Sequence, residues 1–113
     1  MTVIYKIAPA ALWRQAEAVG AFDGSPDDRR DCFIHFSTAE QLPKTAARYF
    51  AGAADLVLAA VAVEKLAGPL RWEPSRGGAL FPHLYAPLDL AAVLWVKQLP
   101  LGPDGRHVFP ERL

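Results

Sequence analysis

At 113 residues the chain has the length of one ordinary domain, enough to bury about two-thirds of its unfolded surface. Hydrophobic residues make up 52% and charged residues 21%, a balance that suits a soluble folded protein and argues against disorder. Twelve basic and twelve acidic residues cancel, which excludes a bulk field for nucleic acid or an anionic membrane. The longest apolar run, residues 56–63, is too short to span a bilayer. The opening MTVIYKIAPAALW lacks the basic-then-apolar order of a signal peptide, so the cytoplasm is the expected compartment. The single cysteine, Cys32, has no internal disulfide partner, and its place before Phe33 and Ile34 predicts a packed, inert thiol.

Residues 2–7 alternate and are rich in β-branched side chains, which predicts a short strand. Pro9 suits the start of a helix, Leu12, Trp13, Ala16 and Val19 recur at helical spacing, and Gly20 supplies a stop. Residues 21–30 are charged and turn-rich, and the run Asp27-Asp28-Arg29-Arg30 reads as solvated surface. In residues 31–37, DCFIHFS, Phe33 and His35 share one face and Ile34 and Phe36 the other, as in a strand covered on both sides. Two overlapping capping-box patterns follow, Ser37 with Glu40 and Thr38 with Gln41, ahead of a helical face of Leu42, Ala46, Tyr49 and Phe50. Pro43 leaves two starts open: a separate first turn, or a helix proper that begins near Pro43. Residues 55–63, 70–73 and 91–99 read as strands, and the tail 100–113, with His107, is assigned to the surface. The order β-α-β-α-β-β-loop-β predicts a single α+β domain over residues 1–113 with two main helices.

Residues 72–87, WEPSRGGALFPHLYAP, combine a glutamate, an arginine, a histidine, a tyrosine and a tryptophan with Gly77-Gly78 and three prolines. Such a segment predicts an ordered loop, and a compact domain seldom keeps one of this length unless it binds something. Arg76 has the planar fork that grips phosphate or carboxylate, and Glu73 can serve as a general base or hydroxyl-binding group. The same two residues can instead form a structural ion pair. Trp72 and Tyr85 can stack on a planar ligand or pack in a core. His35, Ser37 and Thr38 form a second cluster, where a strand end leading into a helix offers free backbone donors to an anion. Ordinary capping by the hydroxyls and a hydrogen-bonded core histidine are the alternatives. His83 has no partner at zinc-site spacing, so no metal is expected, and there is no GxSxG, GxGxxG or Walker motif.

The strings IYKI, FIHFSTAEQ, TAARYF, DLVLAAV and WEPSRGGALFPHLYAPL, in order from about Ile4 to Val96, resemble the DUF952 family of small bacterial proteins, to which no function is assigned. The resemblance implies an ADP-ribosyltransferase-like fold of split, curved β-sheets, with a cleft between them for NAD, ADP-ribose or a related nucleotide. Ser37-Thr38 and Glu73 would supply two of the elements such enzymes use. Lys6 stands where arginine or histidine is expected, and Ala39 where a second serine is expected, so that catalytic pattern is incomplete. The expected site is a cleft in which His35, Glu73 and His83 handle protons while Ser37, Thr38, Trp72, Arg76 and Tyr85 hold a nucleotide or phosphorylated small molecule. The alternative is a non-catalytic ligand-binding or protein-interaction module.

Overall fold

The structure, a computed structural model, describes residues 1–113 apart from the side chain of Arg76. The first half runs β1 (Val3–Pro9), α1 (Ala10–Val19), β2 (Ala21–Phe22), α2 (Pro26–Asp31), β3 (Ile34–His35) and α3 (Leu42–Tyr49). The second runs β4 (Leu56–Ala62), β5 (Leu70–Pro74), β6 (Leu80–Leu84), β7 (Leu88–Asp89) and β8 (Val93–Leu99). The class is α+β, with antiparallel pairing throughout the described sheets. No helix among the described residues is long and apolar enough to cross a membrane.

Strand β4 is central in a sheet of order β1-β4-β8. Successive strand residues point to opposite faces. Ile4, Ala8, Ala59 and Val61 therefore pack with Trp13 and Ala16 of α1, while Tyr5, Ile7, Leu58 and Ala60 pack with Leu42 and Ala46 of α3. Both faces of β4 are covered, which is why its sequence is a continuous apolar run without alternation.

The second three-stranded sheet has the order β3-β6-β5. Much of the stretch expected to be an irregular loop is a β5–β6 hairpin, with Trp72 opposite Pro82 and Glu73 opposite Phe81. Gly77 and Gly78 make its tip possible at φ values of 64° and 81°. Pro82 lies in the middle strand, where its carbonyl accepts from Phe36 N at 3.0 Å. It has no N–H to return, so the β3 ladder stops at His35. The chain then crosses to β1, where Ser37 and Tyr5 exchange backbone bonds of 2.8 and 2.9 Å. That crossing ties the two sheets together.

Both readings of Pro43 hold: a separate turn comes first, and the helix proper begins beside Pro43. Thr38 N donates to Gln41 Oε1 at 3.0 Å, Gln41 N donates to Thr38 Oγ1 at 3.3 Å, and α3 starts at Leu42. A third helix, α2, stands beside the two expected ones. Pro26 opens it, and the Asp28 carboxylate accepts from Ser25 N at 2.9 Å. Cys32 ends it in the left-handed region with φ of 66°, and its side chain is exposed, not packed as expected. The strand starts two residues later, so the alternation that would bury a thiol does not reach it. The tail folds back on itself: Leu101 pairs with His107, whose Nε2 lies 2.9 Å from Ala53 O.

Gly24 has φ of 112°, and a Cβ placed there would lie 2.7 Å from Asp28 Cβ. Gly24→Ala is therefore expected to lower the unfolding free energy by more than about 1 kcal/mol. Urea denaturation checks this, and an unchanged midpoint would contradict the packing described.

Candidate functional site

Lys6 sits in the middle of β1 and is only 5% exposed. A buried ammonium needs partners. Its Nζ lies 2.9 Å from Asp28 Oδ2 and 3.1 Å from Oδ1, and it donates to His35 O at 3.0 Å. Asp28 is equally buried. Besides Lys6 and Ser25 N it faces His35 twice, accepting from the backbone N at 3.0 Å and contacting the ring Nδ1 at 2.6 Å. Burial opposes ionisation of Asp28, but the bonds from His35 and Lys6 outweigh it and hold the carboxyl well below the ordinary range. Burial likewise pushes the Lys6 ammonium down, against the attraction of Asp28. The second ring nitrogen of His35, Nε2, lies 2.9 Å from Asp31 Oδ2. Both ring contacts are hydrogen bonds at once only for an imidazolium, which carries two N–H donors.

A second cluster is organised by the β5–β6 hairpin. The two-residue alternation puts Arg71, Glu73, Phe81 and His83 on one face, and Tyr85 continues it. Tyr85 OH donates to Glu73 Oε1 at 2.5 Å, and His83 Nδ1 lies 3.0 Å from the same oxygen. The bonds from Tyr85 and then His83 hold the Glu73 carboxyl below its usual range, and the contact with Glu73 pushes the Tyr85 hydroxyl up. An ionised carboxylate only accepts, so the hydrogen of this bond belongs to His83 Nδ1. His83 Nε2 has no hydrogen-bond partner among the described residues. It is also not one of the fully buried partnerless atoms, of which Trp13 Nε1 is the one found among the described residues. His83 itself is one of the residues that line the cleft described next.

The two histidines face each other as register partners across β3 and β6, with ring centroids 5.5 Å apart. The Phe33 ring lies 4.5 Å from that of His35 and stacks on that of His83 at 4.0 Å, limiting the tilt of both. They border a cleft of about 180 Å³. Its walls are Tyr5, Lys6 and Ile7 of β1, the polar face of α2, residues 35–37, Thr45 and Tyr49 of α3, and Ser75, Phe81 and His83 of the hairpin. Ser37 Oγ lies 3.1 Å from Thr45 Oγ1, so two hydroxyls sit side by side in the wall.

Of the residues expected in the site, His35, Ser37 and His83 line this cleft. Glu73 and Tyr85 stand behind His83 and orient it without lining the cleft themselves. The Thr38 hydroxyl is used inside its own turn. Trp72 falls on the opposite face of the hairpin, 42% exposed, because strand alternation separates it from Glu73. The Arg76 side chain lies outside what the structure describes. Lys6, Asp28 and Asp31 enter the site from segments that read as a structural strand and a solvated run. The signal for Asp28 is the order Ser25-Pro26-x-Asp28, a helix start whose third-position carboxylate turns back into the protein.

The chain belongs to the DUF952 family, described as proteins of unknown function, whose sequence pattern matches residues 7–96. Among solved structures it is similar to protein CC0527 from Caulobacter crescentus. With the crystal structure of that protein it shares 50% identity over 95% of this chain and 94% of the other, with a TM-score of 0.89. With its solution NMR structure it shares 52% identity over 94% and 91% of the two chains, with a TM-score of 0.83. No curated protein matches.

The depressed Asp28 carboxyl makes stability depend on pH. An unfolded aspartate titrates near pH 3.9, roughly, so the contribution of Asp28 is fully present above that value and fades as pH falls towards the lower folded value. Asp28→Asn is expected to cost about 3 kcal/mol at pH 7, because Lys6 is left buried and uncompensated, and to flatten the loss of stability below about pH 4. Denaturation midpoints of both proteins across that range test it. Parallel acid limbs would show that Asp28 is not the titrating group.

Proposed function

We propose that the cleft binds a small polar molecule, a phosphorylated metabolite or a nucleotide portion, and that His83 exchanges a proton with it. The observation that carries this reading is the state of His83. Its Nδ1 is bonded to Glu73, Glu73 is held by Tyr85, and its side chain lines the cleft with no hydrogen bond at Nε2 among the described residues. An imidazole oriented by a carboxylate at one nitrogen, beside a cleft, is arranged to exchange a proton through the other. The Ser37 hydroxyl, in the cleft wall, can donate to or accept from the bound molecule.

A ligand of the NAD or ADP-ribose type, with transfer of an ADP-ribosyl group, is the narrower form of this proposal. Its support is the position of the cleft where two sheets meet, with a serine on the crossing strand facing it. Against the transferase step stands Lys6, whose charge is already spent on Asp28. The volume of about 180 Å³ also fits a sugar or phosphate portion better than an enclosed dinucleotide. Binding without chemistry is the second reading, favoured by the way the Lys6–Asp28–His35 network is satisfied internally.

The test is an NMR titration with NAD, ADP-ribose, mononucleotides and sugar phosphates, read at the His83 ring and the Ser37 amide. At least one compound should move both signals, and silence from all of them would sink the proposal. Without any ligand, the His83 ring should show Nδ1 protonated and Nε2 bare. Glu73→Gln should shift that tautomer balance with little loss of folding, since Glu73 is partly solvent-exposed. Should turnover be found, Glu73→Gln is expected to lower kcat more than it changes KM.

A further inference from the structure

The Asp31 carboxylate occupies a particular place in the cleft wall. Its Oδ2 lies 2.9 Å from His35 Nε2 and accepts from Arg30 Nη2 at 3.4 Å, while Oδ1 accepts from Arg30 Nε at 3.0 Å. The His35 ring and the Arg30 guanidinium thus converge on one carboxylate, and Arg30, Asp31 and His35 all line the cleft. A histidine nitrogen opposed to a guanidinium fork is a general arrangement for gripping an oxyanion.

Asp31 is not held there by the needs of its own helix. It is the last residue of α2, where a negative charge opposes the helix dipole. Its side chain is 32% exposed, in contrast to the buried Asp28 that anchors the other side of the same imidazole. Exposed ion pairs of this kind are weak and exchange readily. His35 keeps its orientation without Asp31, since Asp28 and the Phe33 ring fix it. The other charges nearby are committed elsewhere: Asp28 to Lys6, and Asp27 to Arg30 Nη1 at 3.3 Å, a contact that leaves the Nε side of the guanidinium to Asp31.

We infer that the position between His35 Nε2 and the Arg30 guanidinium is an anion subsite of the cleft, filled in this structure by the Asp31 carboxylate. A phosphate or carboxylate group of the ligand enters it by displacing Asp31. The inference rests on the proposal that the cleft binds a small polar molecule and adds the chemical class of the group that docks beside His83. Displacement requires only that Asp31 swing outward at the exposed end of α2. The entering oxyanion then takes over the bonds to His35 and Arg30.

The experiment compares the native chain with Asp31→Ala in titrations with inorganic phosphate and with acetate, followed by NMR at the His35 ring and the Arg30 side-chain Nε–H. Removing the internal competitor should tighten binding of at least one anion about tenfold, with both signals moving. A larger gain for phosphate assigns a phosphorylated ligand, and a larger gain for acetate a carboxylic acid. Adding Arg30→Met, a change at an exposed side chain, should remove the gain. If Asp31→Ala folds poorly, Asp31→Asn removes the same charge at the same size and is read in the same way. A natively folded variant with no gain, or a gain that leaves the His35 and Arg30 signals still, overturns the subsite. The response of His83 in the native protein is read separately, so the subsite can fail while the cleft proposal stands, and the reverse.

Discussion

The buried pairing of Lys6 with Asp28 is the constraint on which the rest of the site depends. A strand residue in the middle of a covered sheet would ordinarily be apolar, and an ammonium there is tolerable only with a counter-charge and further acceptors. Asp28 supplies the charge from α2 and the His35 carbonyl supplies an acceptor from β3. One interaction therefore fixes three elements that are distant in sequence: β1, a six-residue helix and the strand that carries the first histidine. A helix as short as α2 has little stability of its own, so its position is dictated by this contact and by its own capping.

The two histidines illustrate how environment divides roles between identical side chains. His35 lies between two carboxylates, bonded to Asp28 through Nδ1 and 2.9 Å from Asp31 at Nε2. His83 has a carboxylate at one nitrogen and lines the cleft. Their adjacency across β3 and β6, with Phe33 against both rings, puts the two imidazoles side by side in different surroundings.

The cleft owes its position to proline chemistry as much as to the charged residues. Pro82 denies β3 a further ladder bond, and the chain is diverted to β1 through Ser37. The diversion opens a wedge between the sheets, floored by β1 and walled by α2, α3 and the hairpin. The likeness to the protein from Caulobacter crescentus spans nearly the whole of both chains, so the fold that carries this cleft is one the two share.

Local signals in the amino-acid sequence determined much of the framework. The apolar runs of β1, β4 and β8, the Gly20 stop and the Thr38–Gln41 turn are short-range consequences of periodicity and capping, and all are present in the structure. The chemistry of residues 72–87 was visible too, but not its shape. Prolines and glycines read as breakers, whereas pairing with β3 supplies the context that turns the segment into a hairpin. That register, and no local feature, puts Glu73 and His83 on one face and Trp72 on the other. Asp28 looked like any residue of a charged run. Only the packing of α2 against β1 distinguishes it from Asp27 beside it, by bringing it to a lysine twenty-two positions away. Tertiary structure decided the site because burial and opposed charge act through space, between residues whose sequence neighbours carry no trace of the contact.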